Sequence, residues 1–437
     1  MYIQDFSFGN FKSFRDINSL SLMATKSNAA FSDIDENNLF NVSNESDVRL
    51  MRSKAIYGAN SSGKSNIIKA LRVFINIVKN SQINRNVLFD IDYFRFNDDS
   101  IESPSYFQII FWDGSTRYRY GFEADSDMIY SEWLFHKPGK REESLFIREQ
   151  GKEIEVNKNS FTEGDLLLNL FDIDKGSNDL FRDNSLVLTT LSTFGIAKIS
   201  ANVSKCISSI NVISGLGDGQ LLNNAEKKLE DISIKEYILN LLKFGDIGID
   251  HIDYISFDED DDNIPNKKNN KRSNNKYVFS VRKKYNKEGI AEGVGVISFE
   301  EESEGTKKLF EIAPYIYEAF KNNTPLVIDE FDARFHPVLT RAIIKLFNNK
   351  NNSNNPQFIF TTHDTNLLDN KLLRKDQIDF VEKDSFYNSH LYSLIEFKGV
   401  RNTAVFENEY IKGKFGAIPY VGDFNKLINF FEDAKED

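Results

Sequence analysis

The sequence has little cysteine: Cys206 is the only one among its 437 residues. One cysteine excludes an internal disulfide and any zinc site built on a CxxC pair. No stretch approaches the roughly 18–20 consecutive apolar residues that a membrane-spanning helix needs. The first eight residues lack a basic segment followed by an apolar one, so no signal peptide is expected. Together these absences predict a cytoplasmic protein without a membrane partner.

Positive charge is also scarce. The chain has 54 Lys and Arg against 66 Asp and Glu, a formal net charge of −12. A broad nucleic-acid surface is therefore not expected, although nucleic acid could still bind a local patch or an assembled state. No internal repeat occurs, and no heptad run is long enough for an extended coiled coil. The length allows two or three subdomains.

Several segments show a clear periodicity in the spacing of their apolar residues. Ile3–Phe14 alternates like a strand, and Lys64–Val78 has apolar residues at helical spacing. Tyr106–Leu134 alternates with aromatic and branched residues, and Asp113-Gly114 inside it is a hairpin turn signal. This region predicts an antiparallel sheet.

The middle of the chain is of mixed character. Thr162–Phe244 is predicted to be mostly helical. The acidic run Asp258–Asp262 and the Asn/Lys-rich run Asn266–Lys276 have the composition of an exposed loop, and a metal site at the acidic run is the weaker alternative. We predict three domains: an N-terminal lobe at 1–160, an inserted mainly helical lobe with a charged loop at 161–290, and a C-terminal lobe at 291–437.

A phosphate-binding loop follows a short apolar strand and precedes the helical pattern. Eight residues match GxxxxGK[ST] in full: Gly58, Ala59, Asn60, Ser61, Ser62, Gly63, Lys64 and Ser65. Its glycines let the backbone wrap phosphate, and the loop amides face the negative charge. Lys64 is expected to reach the β- and γ-phosphates, Ser65 to ligate Mg²⁺, and Asn66 to join the nucleotide contacts. A plain Gly/Ser turn before a helix is disfavoured.

A second apolar run, Thr324–Glu330, ends in two acids, the pattern of a buried strand whose tip reaches the nucleotide. Asp329 is expected to hold Mg²⁺, and Glu330 to orient or deprotonate the attacking water. His363 ends another apolar strand after a plausible helix at Pro337–Phe347. A strand–helix–strand unit puts the two strand tips side by side, which favours a γ-phosphate contact for His363 over a purely structural role.

Four further residues open a helical stretch, Lys307–Phe320, between the loop and the acidic strand: Ser303, Glu304, Gly305 and Thr306. A serine at a helix start followed by glycine offers a hydroxyl, free amides and a positive dipole end to phosphate. The simpler alternative is an N-cap formed by Ser303. The position of this segment in the chain favours phosphate contact.

A dimer follows from this arrangement, because Ser303 cannot easily reach the nucleotide held by its own Lys64. We expect a homodimer around two sandwiched ATP molecules with Mg²⁺, in which the γ-phosphate gates the interface. Asp332 lies where a residue would cross between subunits. Higher oligomers remain possible.

The order of these elements resembles the RecF/SMC-like branch of ABC-type ATPases, with Phe8–Phe14 similar to that branch's first strand and turn near the nucleotide base. More closely, the chain resembles stand-alone prokaryotic ATPases linked to phage defence, including RloA-like proteins and the ATPase subunits of Septu, PARIS and AbiL systems. The resemblance also rests on Asp329–Pro337, Thr362–Asp364 and Glu409–Pro419. It implies an α/β fold: an ABC-type P-loop head with a mixed sheet, an antiparallel β-subdomain, an inserted helical lobe and no long coiled coil.

The resemblance implies an ATPase that acts as a dimeric sensor or scaffold in antiphage defence and controls a separate nuclease or toxin. Too few residues follow His363 for an appended TOPRIM nuclease. The alternative is a RecF-like DNA-binding clamp that grips phosphate through basic residues between Lys267 and Lys284, a cluster that is otherwise solvated loop charge. A GTPase is disfavoured because no NKxD motif occurs. Gln108 is the nearest candidate by order for a Q-loop residue.

Overall fold

The computed structural model describes residues 1–42, 47–170, 181–216, 219–245, 247–256, 276–419 and 422. The acidic run and half of the basic cluster noted above lie outside these ranges. Eighteen strands are found within them: β1 (Tyr2–Gly9), β2 (Asn18–Ser21), β3 (Leu39–Asn41), β4 (Arg49–Met51), β5 (Ser53–Gly58), β6 (Ser105–Asp113), β7 (Thr116–Ala124), β8 (Ile129–Lys137), β9 (Glu143–Glu149), β10 (Glu155–Val156), β11 (Asn211–Ser214), β12 (His251–Ser256), β13 (Lys276–Tyr285), β14 (Ala291–Ser298), β15 (Leu326–Asp329), β16 (Phe358–Thr361), β17 (Ile378–Lys383) and β18 (Ser389–Ser393).

Eleven α-helices are found in the same ranges. They are α1 (Ser32–Asn38), α2 (Lys64–Asn80), α3 (Asp98–Ile101), α4 (Thr162–Leu170), α5 (Val187–Ser192), α6 (Lys198–Ser208), α7 (Gly219–Lys228), α8 (Ile232–Phe244), α9 (Glu304–Asn322), α10 (Pro337–Phe347) and α11 (Phe406–Ile411). None of the described helices is long and apolar enough to cross a bilayer.

The central sheet has six strands in the order β11-β15-β16-β5-β17-β18. Its first five strands run parallel, and β18 pairs antiparallel with β17, so the sheet is mixed. Because the parallel strands share a direction, their carboxyl ends meet at one edge, where open α/β sheets bind ligands. Gly58, Asp329 and Thr361 all end strands at this edge.

A second sheet is antiparallel, with seven strands in the order β10-β9-β8-β7-β6-β1-β2. The hairpin predicted at Asp113-Gly114 is present, since Asp113 pairs with Thr116 and Gly114 has φ +57°. The first strand ends earlier than expected: β1 stops at Gly9, and the next residues turn so that Phe11 and Phe14 form an isolated bridge.

The helical lobe contains an element that its sequence did not predict. Helices α4 to α8 occupy most of the segment, as expected, but β11 lies among them and pairs in parallel with β15. Its four residues, Asn211–Ser214, are too few to show a period. This strand ties the lobe directly to the central sheet.

Helix α2 lies between the two large sheets. Its buried residues, such as Phe74, pack against Phe122 of the antiparallel sheet with ring centroids 5.5 Å apart. The same apolar cluster includes Val327 and Ile359 of the central sheet. A second cluster covers the opposite face of the central sheet with residues of α8, α9 and α10. The layers fix α2, and with it the phosphate-binding loop, between two rigid sheets.

The predicted fold class is confirmed: the protein is an α/β P-loop head with a mixed sheet, an antiparallel β-subdomain and a helical lobe. The longest described helix, α9, has 19 residues, so no long coiled coil occurs in the described ranges. Helix α10 spans the predicted Pro337–Phe347.

Candidate nucleotide-binding site

The loop between β5 and α2 has a backbone that only glycine accommodates at two points. Gly63 caps α2 with φ +117°, and a Cβ there would lie 2.6 Å from Ser389 Oγ and 2.8 Å from Ser13 Oγ. A Cβ on Gly58 would lie 2.5 Å from the carbonyl oxygen of Val381. The segments that carry Ser13, Val381 and Ser389 thus pack against one side of the loop, and the other side remains open for a ligand.

Lys64 turns its ammonium back into this loop. Its Nζ donates hydrogen bonds to the carbonyl oxygens of Gly58 at 2.7 Å and Ala59 at 3.1 Å. Burial lowers the pKa of Lys64 to about 8, and the charges of Asp329, Glu330 and Asp332 oppose that shift. The electrostatic coupling shows that the lysine and the acidic strand end share one site.

Thr361 joins the two acids at the end of β15. Its hydroxyl donates to Asp329 Oδ1 at 2.6 Å and accepts from the main-chain N–H of Glu330 at 2.7 Å. Glu330 has φ +53°. This left-handed backbone conformation is unfavourable in free energy for any residue that carries a side chain. This conformation turns the chain immediately after Asp329, where the second acid follows the strand end.

Gly215, immediately after β11, packs against this turn and was not predicted from the sequence. Its N–H donates to the carbonyl oxygen of Asp329 at 2.5 Å. A Cβ there would overlap the carbonyl oxygen of Glu330 and lie 2.7 Å from that of Asp329. Glycine is required here because the two backbones touch. The only sequence signal was a Gly-rich turn after a short apolar run.

His363 and Asp332 meet at the same edge of the sheet. The main-chain N–H of His363 lies 3.3 Å from both carboxylate oxygens of Asp332. Burial, and then the charge of Lys64, lowers the pKa of the His363 imidazole, so the ring is held towards its neutral form. A neutral imidazole can donate one hydrogen bond to a phosphate oxygen without carrying charge.

Ser303 caps α9, as its simpler interpretation requires. Its Oγ accepts from the N–H of Thr306 at 3.2 Å and lies 2.8 Å from the Thr306 hydroxyl. Ser303 and Glu304 are exposed. No described hydrogen bond joins this segment to the phosphate-binding loop. The cap and a phosphate contact are compatible, since free amides remain at the helix start.

Two contacts link the start of α9 to the loop after Glu330. The carboxylate of Glu304 pairs with Arg334 at 2.9 Å, and a Cβ on Gly305 would lie 3.0 Å from the Arg334 carbonyl oxygen. Arg334 itself has φ +66°. These contacts attach the Ser303–Thr306 segment to the acidic loop.

Lys308, also missed from the sequence, strengthens this link. It is 1% exposed, and its Nζ donates to the carbonyl oxygens of Glu330 at 3.3 Å, Phe331 at 2.7 Å and Ala333 at 2.6 Å. Its ammonium lies 4.5 Å from the centre of the Phe335 ring. Burial lowers its pKa to about 7. One turn after Ser303, it fastens the helix to the acidic loop.

The turn after β1 contacts the phosphate-binding loop from the other side. Ser13 Oγ accepts from Asn66 Nδ2 at 2.8 Å and lies within hydrogen-bond distance of Ser389 Oγ, at 2.9 Å. Ser389 Oγ is also 2.6 Å from the Ser62 carbonyl oxygen. By contrast, Gln108 lies within β6, where its Oε1 accepts from Trp133 Nε1 at 3.1 Å. No described contact brings Gln108 to the loop.

The site as a whole suits a nucleotide with its metal ion. Asn60 and Ser61 are exposed on the loop, and Ser65 is half-buried at the first turn of α2. Ser62 Oγ is buried without a hydrogen-bond partner in the described structure. A buried polar atom that lacks a partner marks a position where ligand or solvent completes the bonding. The amides, one ammonium and one isolated aspartate match phosphate and Mg²⁺.

Comparison with known families assigns the chain. The model of the family described as "AAA domain, putative AbiEii toxin, Type IV TA system" matches residues 55–181 and 214–369. The chain belongs to this family. The matched ranges begin within β5, just before the phosphate-binding loop, and include the acidic strand and His363.

Solved structures of SMC head domains are similar to this AAA protein at low identity. A head domain from Thermotoga maritima is 14% identical with a TM-score of 0.41, covering 90% of this chain and 99% of that one. A Pyrococcus furiosus head bound to the C-terminal domain of ScpA is 15% identical with a TM-score of 0.37, covering 90% and 96%. Likeness at this level says nothing about activity or partners. A comparison with curated proteins finds no match.

Proposed function

We propose that this AAA-family protein binds ATP with Mg²⁺ and hydrolyses it. The observation that carries the proposal is the convergence of Lys64, Asp329, Glu330 and His363 at the carboxyl edge of one parallel sheet. Lys64 is coupled electrostatically to all three acids of the loop that follows β15. A cation, a metal-binding acid and a base at the end of a phosphate-binding loop are the parts that phosphoryl transfer to water needs.

Each residue has one role in this proposal. The amides of Gly58 to Ser65 and the Lys64 ammonium bind the phosphates, and Ser65 and Asp329 hold Mg²⁺. The bound ion supplies charge neutralisation for the phosphate oxygens. Glu330 accepts a proton from the attacking water, and the His363 ring donates a hydrogen bond to the γ-phosphate. The left-handed backbone of Glu330 places this residue at the turn that follows the strand end.

We further propose that hydrolysis requires a dimer. Ser303 and Glu304 are exposed at the start of α9, and no described hydrogen bond joins them to the phosphate-binding loop of their own chain. A second copy would bring its own α9 start to the nucleotide, completing each site in trans. Asp332, held by the His363 amide, then lies at the crossing point between copies. Assemblies larger than the dimer remain compatible with this geometry.

The biological role that fits this arrangement is a nucleotide-gated sensor or scaffold in antiphage defence, acting on a separate nuclease or toxin. Two observations support it. The family description names a toxin of a toxin–antitoxin system, and the motifs resemble RloA-like ATPases and those of Septu, PARIS and AbiL. In the described ranges no cluster of three metal-ligating side chains offers a second catalytic centre. We therefore place the toxic chemistry in a partner.

The alternative, a RecF-like clamp gripping DNA through the Lys267–Lys284 cluster, has less support. Of its described members, Arg282 pairs with Glu302 at 2.6 Å and Lys276 pairs with Glu230 at 2.6 Å. Cations already neutralised by carboxylates contribute little to phosphate binding. Only Lys283 and Lys284 are exposed without an ion pair in the part of the cluster that the structure describes.

Affinity purification of tagged Glu330→Gln protein from its native host tests the proposal, with Lys64→Ala as the matched control. Glu330→Gln removes the base and is expected to hold ATP in a closed dimer, whereas Lys64→Ala is expected not to bind ATP. Proteins and nucleic acids retained by each variant are identified by mass spectrometry and sequencing. Phosphate release by the wild-type protein is measured in parallel.

A stoichiometric protein retained only by the ATP-trapped variant supports the scaffold role. Nucleic acid retained alone favours the clamp. Wild-type protein that releases no phosphate from ATP at any protein concentration contradicts the ATPase proposal itself. Equal turnover by wild type and Glu330→Gln contradicts the role given to Glu330.

A further inference from the structure

Three cations stand along one exposed face of α2 without carboxylate partners. Lys69, Arg72 and Lys79 are exposed, and the structure gives them no ion pair or side-chain hydrogen bond within its described ranges. At 3.6 residues per turn they lie within about 80° of one another around the helix axis, and at 1.5 Å per residue they span about 15 Å. Unpaired cations in a row are unexpected in a chain whose net charge is −12.

These cations border a groove of about 530 Å³ between α2 and β11, here called the α2 groove. Its apolar lining includes Val73 of α2 and Ile210 and Val212 beside the sheet edge. A concave surface with an apolar floor and a cationic rim can bury the sugars of an extended anion while its charges meet the rim. A flat patch of solvated lysines has no such floor.

Two other charged groups line the α2 groove. Lys12, at one end, pairs with Asp92 at 3.0 Å. Asp90, a carboxylate in the lining, accepts a hydrogen bond from Asn76 at 3.3 Å. Asp90 therefore keeps its negative charge and offsets one of the three cations Lys69, Arg72 and Lys79, so the α2 groove remains positive on balance.

We propose that the α2 groove binds the phosphate backbone of a nucleic acid strand. A single phosphate cannot reach cations spread over about 15 Å, so the ligand must carry several negative charges along a line, as a nucleic acid backbone does. Backbone contacts of this kind are independent of sequence and release counterions. The inference goes beyond the proposed ATPase, which has its own phosphate site at the start of the same helix.

The two sites share rigid parts. Helix α2 begins at Lys64, and the turn that carries Lys12 also carries Ser13, which bonds Asn66 at 2.8 Å. Because α2 is packed between two sheets, it cannot shift without moving the phosphate-binding loop. Nucleic acid in the α2 groove therefore lies on the element that positions Lys64.

Fluorescence anisotropy with labelled single-stranded and duplex DNA of about 30 nucleotides tests the α2 groove, over a range of salt concentrations. The test variant is Lys69→Gln/Arg72→Gln/Lys79→Gln. The control is Lys227→Gln/Lys243→Gln/Lys345→Gln, which removes the same charge from exposed positions on α7, α8 and α10. Circular dichroism and thermal melting check that both variants fold.

We expect the test variant to lose at least about tenfold in affinity at 100 mM salt, and the slope of log affinity against log salt to shrink by about 2 for single strands, or about 0.7 per lost cation. The control should stay within about twofold. The single-stranded and duplex probes show which form the groove prefers.

The proposal is overturned if both variants lose DNA affinity equally or if neither loses any. It is also overturned if poly-glutamate displaces the labelled DNA better than unlabelled DNA does. Wild-type protein that hydrolyses ATP but binds neither probe refutes the groove and leaves the ATPase standing. Wild-type protein that binds a probe but does not hydrolyse ATP contradicts the proposed ATPase and leaves the α2 groove standing.

Discussion

Lys308 fixes the backbone of Glu330. Its buried ammonium donates to the Glu330 carbonyl oxygen at 3.3 Å and, more closely, to that of Phe331 at 2.7 Å. A third bond to Ala333 at 2.6 Å uses the last N–H of the ammonium. A single side chain of α9 thus supports the strained turn that carries the proposed base.

Replacing this lysine tests whether the support matters for catalysis. Lys308→Met fills similar space but removes the Lys308 donor from the carbonyl oxygens of Phe331 and Ala333, a loss worth about 1–3 kcal/mol for each group that stays buried and unpaired. The Glu330 carbonyl oxygen keeps only the N–H of Ala333, at 3.3 Å. We expect kcat to fall by at least about tenfold while ATP affinity changes much less, because Lys64 is untouched. ATP binding and steady-state kinetics separate the two quantities.

Lys321→Met is the control for Lys308→Met, since Lys321 is an exposed lysine at the other end of α9. Lys308→Arg should recover part of the activity by restoring cationic donors. A loss of ATP affinity as large as the loss of kcat would mean that Lys308 supports the whole fold rather than the Glu330 loop.

Gly215→Ala should damage the same turn from the sheet side. The new Cβ would overlap the Glu330 carbonyl oxygen, so the catalytic loop must shift. Displacement of a catalytic group by about 1 Å can cost about 100-fold in rate, and we expect a loss in kcat of that order. Gly219→Ala is the matched control, because nothing lies within 4 Å of a Cβ at that position. Similar kinetics for the two variants would refute the contact.

Ser303→Arg tests completion of the site in trans. The position is exposed, so the longer side chain fits the monomer, but it would block the approach of a second copy. We expect ATP binding to persist while ATP-dependent dimerisation and hydrolysis are lost, as measured by light scattering and phosphate release. Loss of the helix cap alone costs about 1 kcal/mol, and Asp231→Ala, which removes the cap of α8, controls for it. Hydrolysis that survives Ser303→Arg would remove Ser303 from the site.

ATP affinity should depend on pH through Lys64. Burial sets the pKa of this lysine at about 8 in the free protein, and bound phosphates favour its charged form, which raises that pKa. Binding therefore takes up a proton above pH 8, and affinity falls as pH rises from 7 to 9. Titration calorimetry in buffers of different ionisation enthalpy measures the proton uptake. Affinity that is flat over this range, or proton release, would contradict the assignment.

Some of the fold could be predicted because the signals are local. The hydrophobic pattern after Lys64 and the run Pro337–Phe347 predicted α2 and α10 closely, since helix periodicity and a proline at the helix start act within one turn. The aromatic alternation around Asp113-Gly114 predicted the antiparallel hairpin for the same reason. Strand β11 escaped prediction because four residues are too short to show a period.

The sequence by itself determined the chemistry of the proposed site. A glycine loop must bend at Gly58 and Gly63, and an apolar strand ending in Asp329 and Glu330 must bring acids to the edge of the sheet. The tertiary structure decided what holds that chemistry in place. Gly215 reaches the Glu330 turn from the end of β11, which is distant in sequence, and Lys308 reaches it from α9. Such contacts depend on strand order and helix packing, which no local sequence pattern encodes.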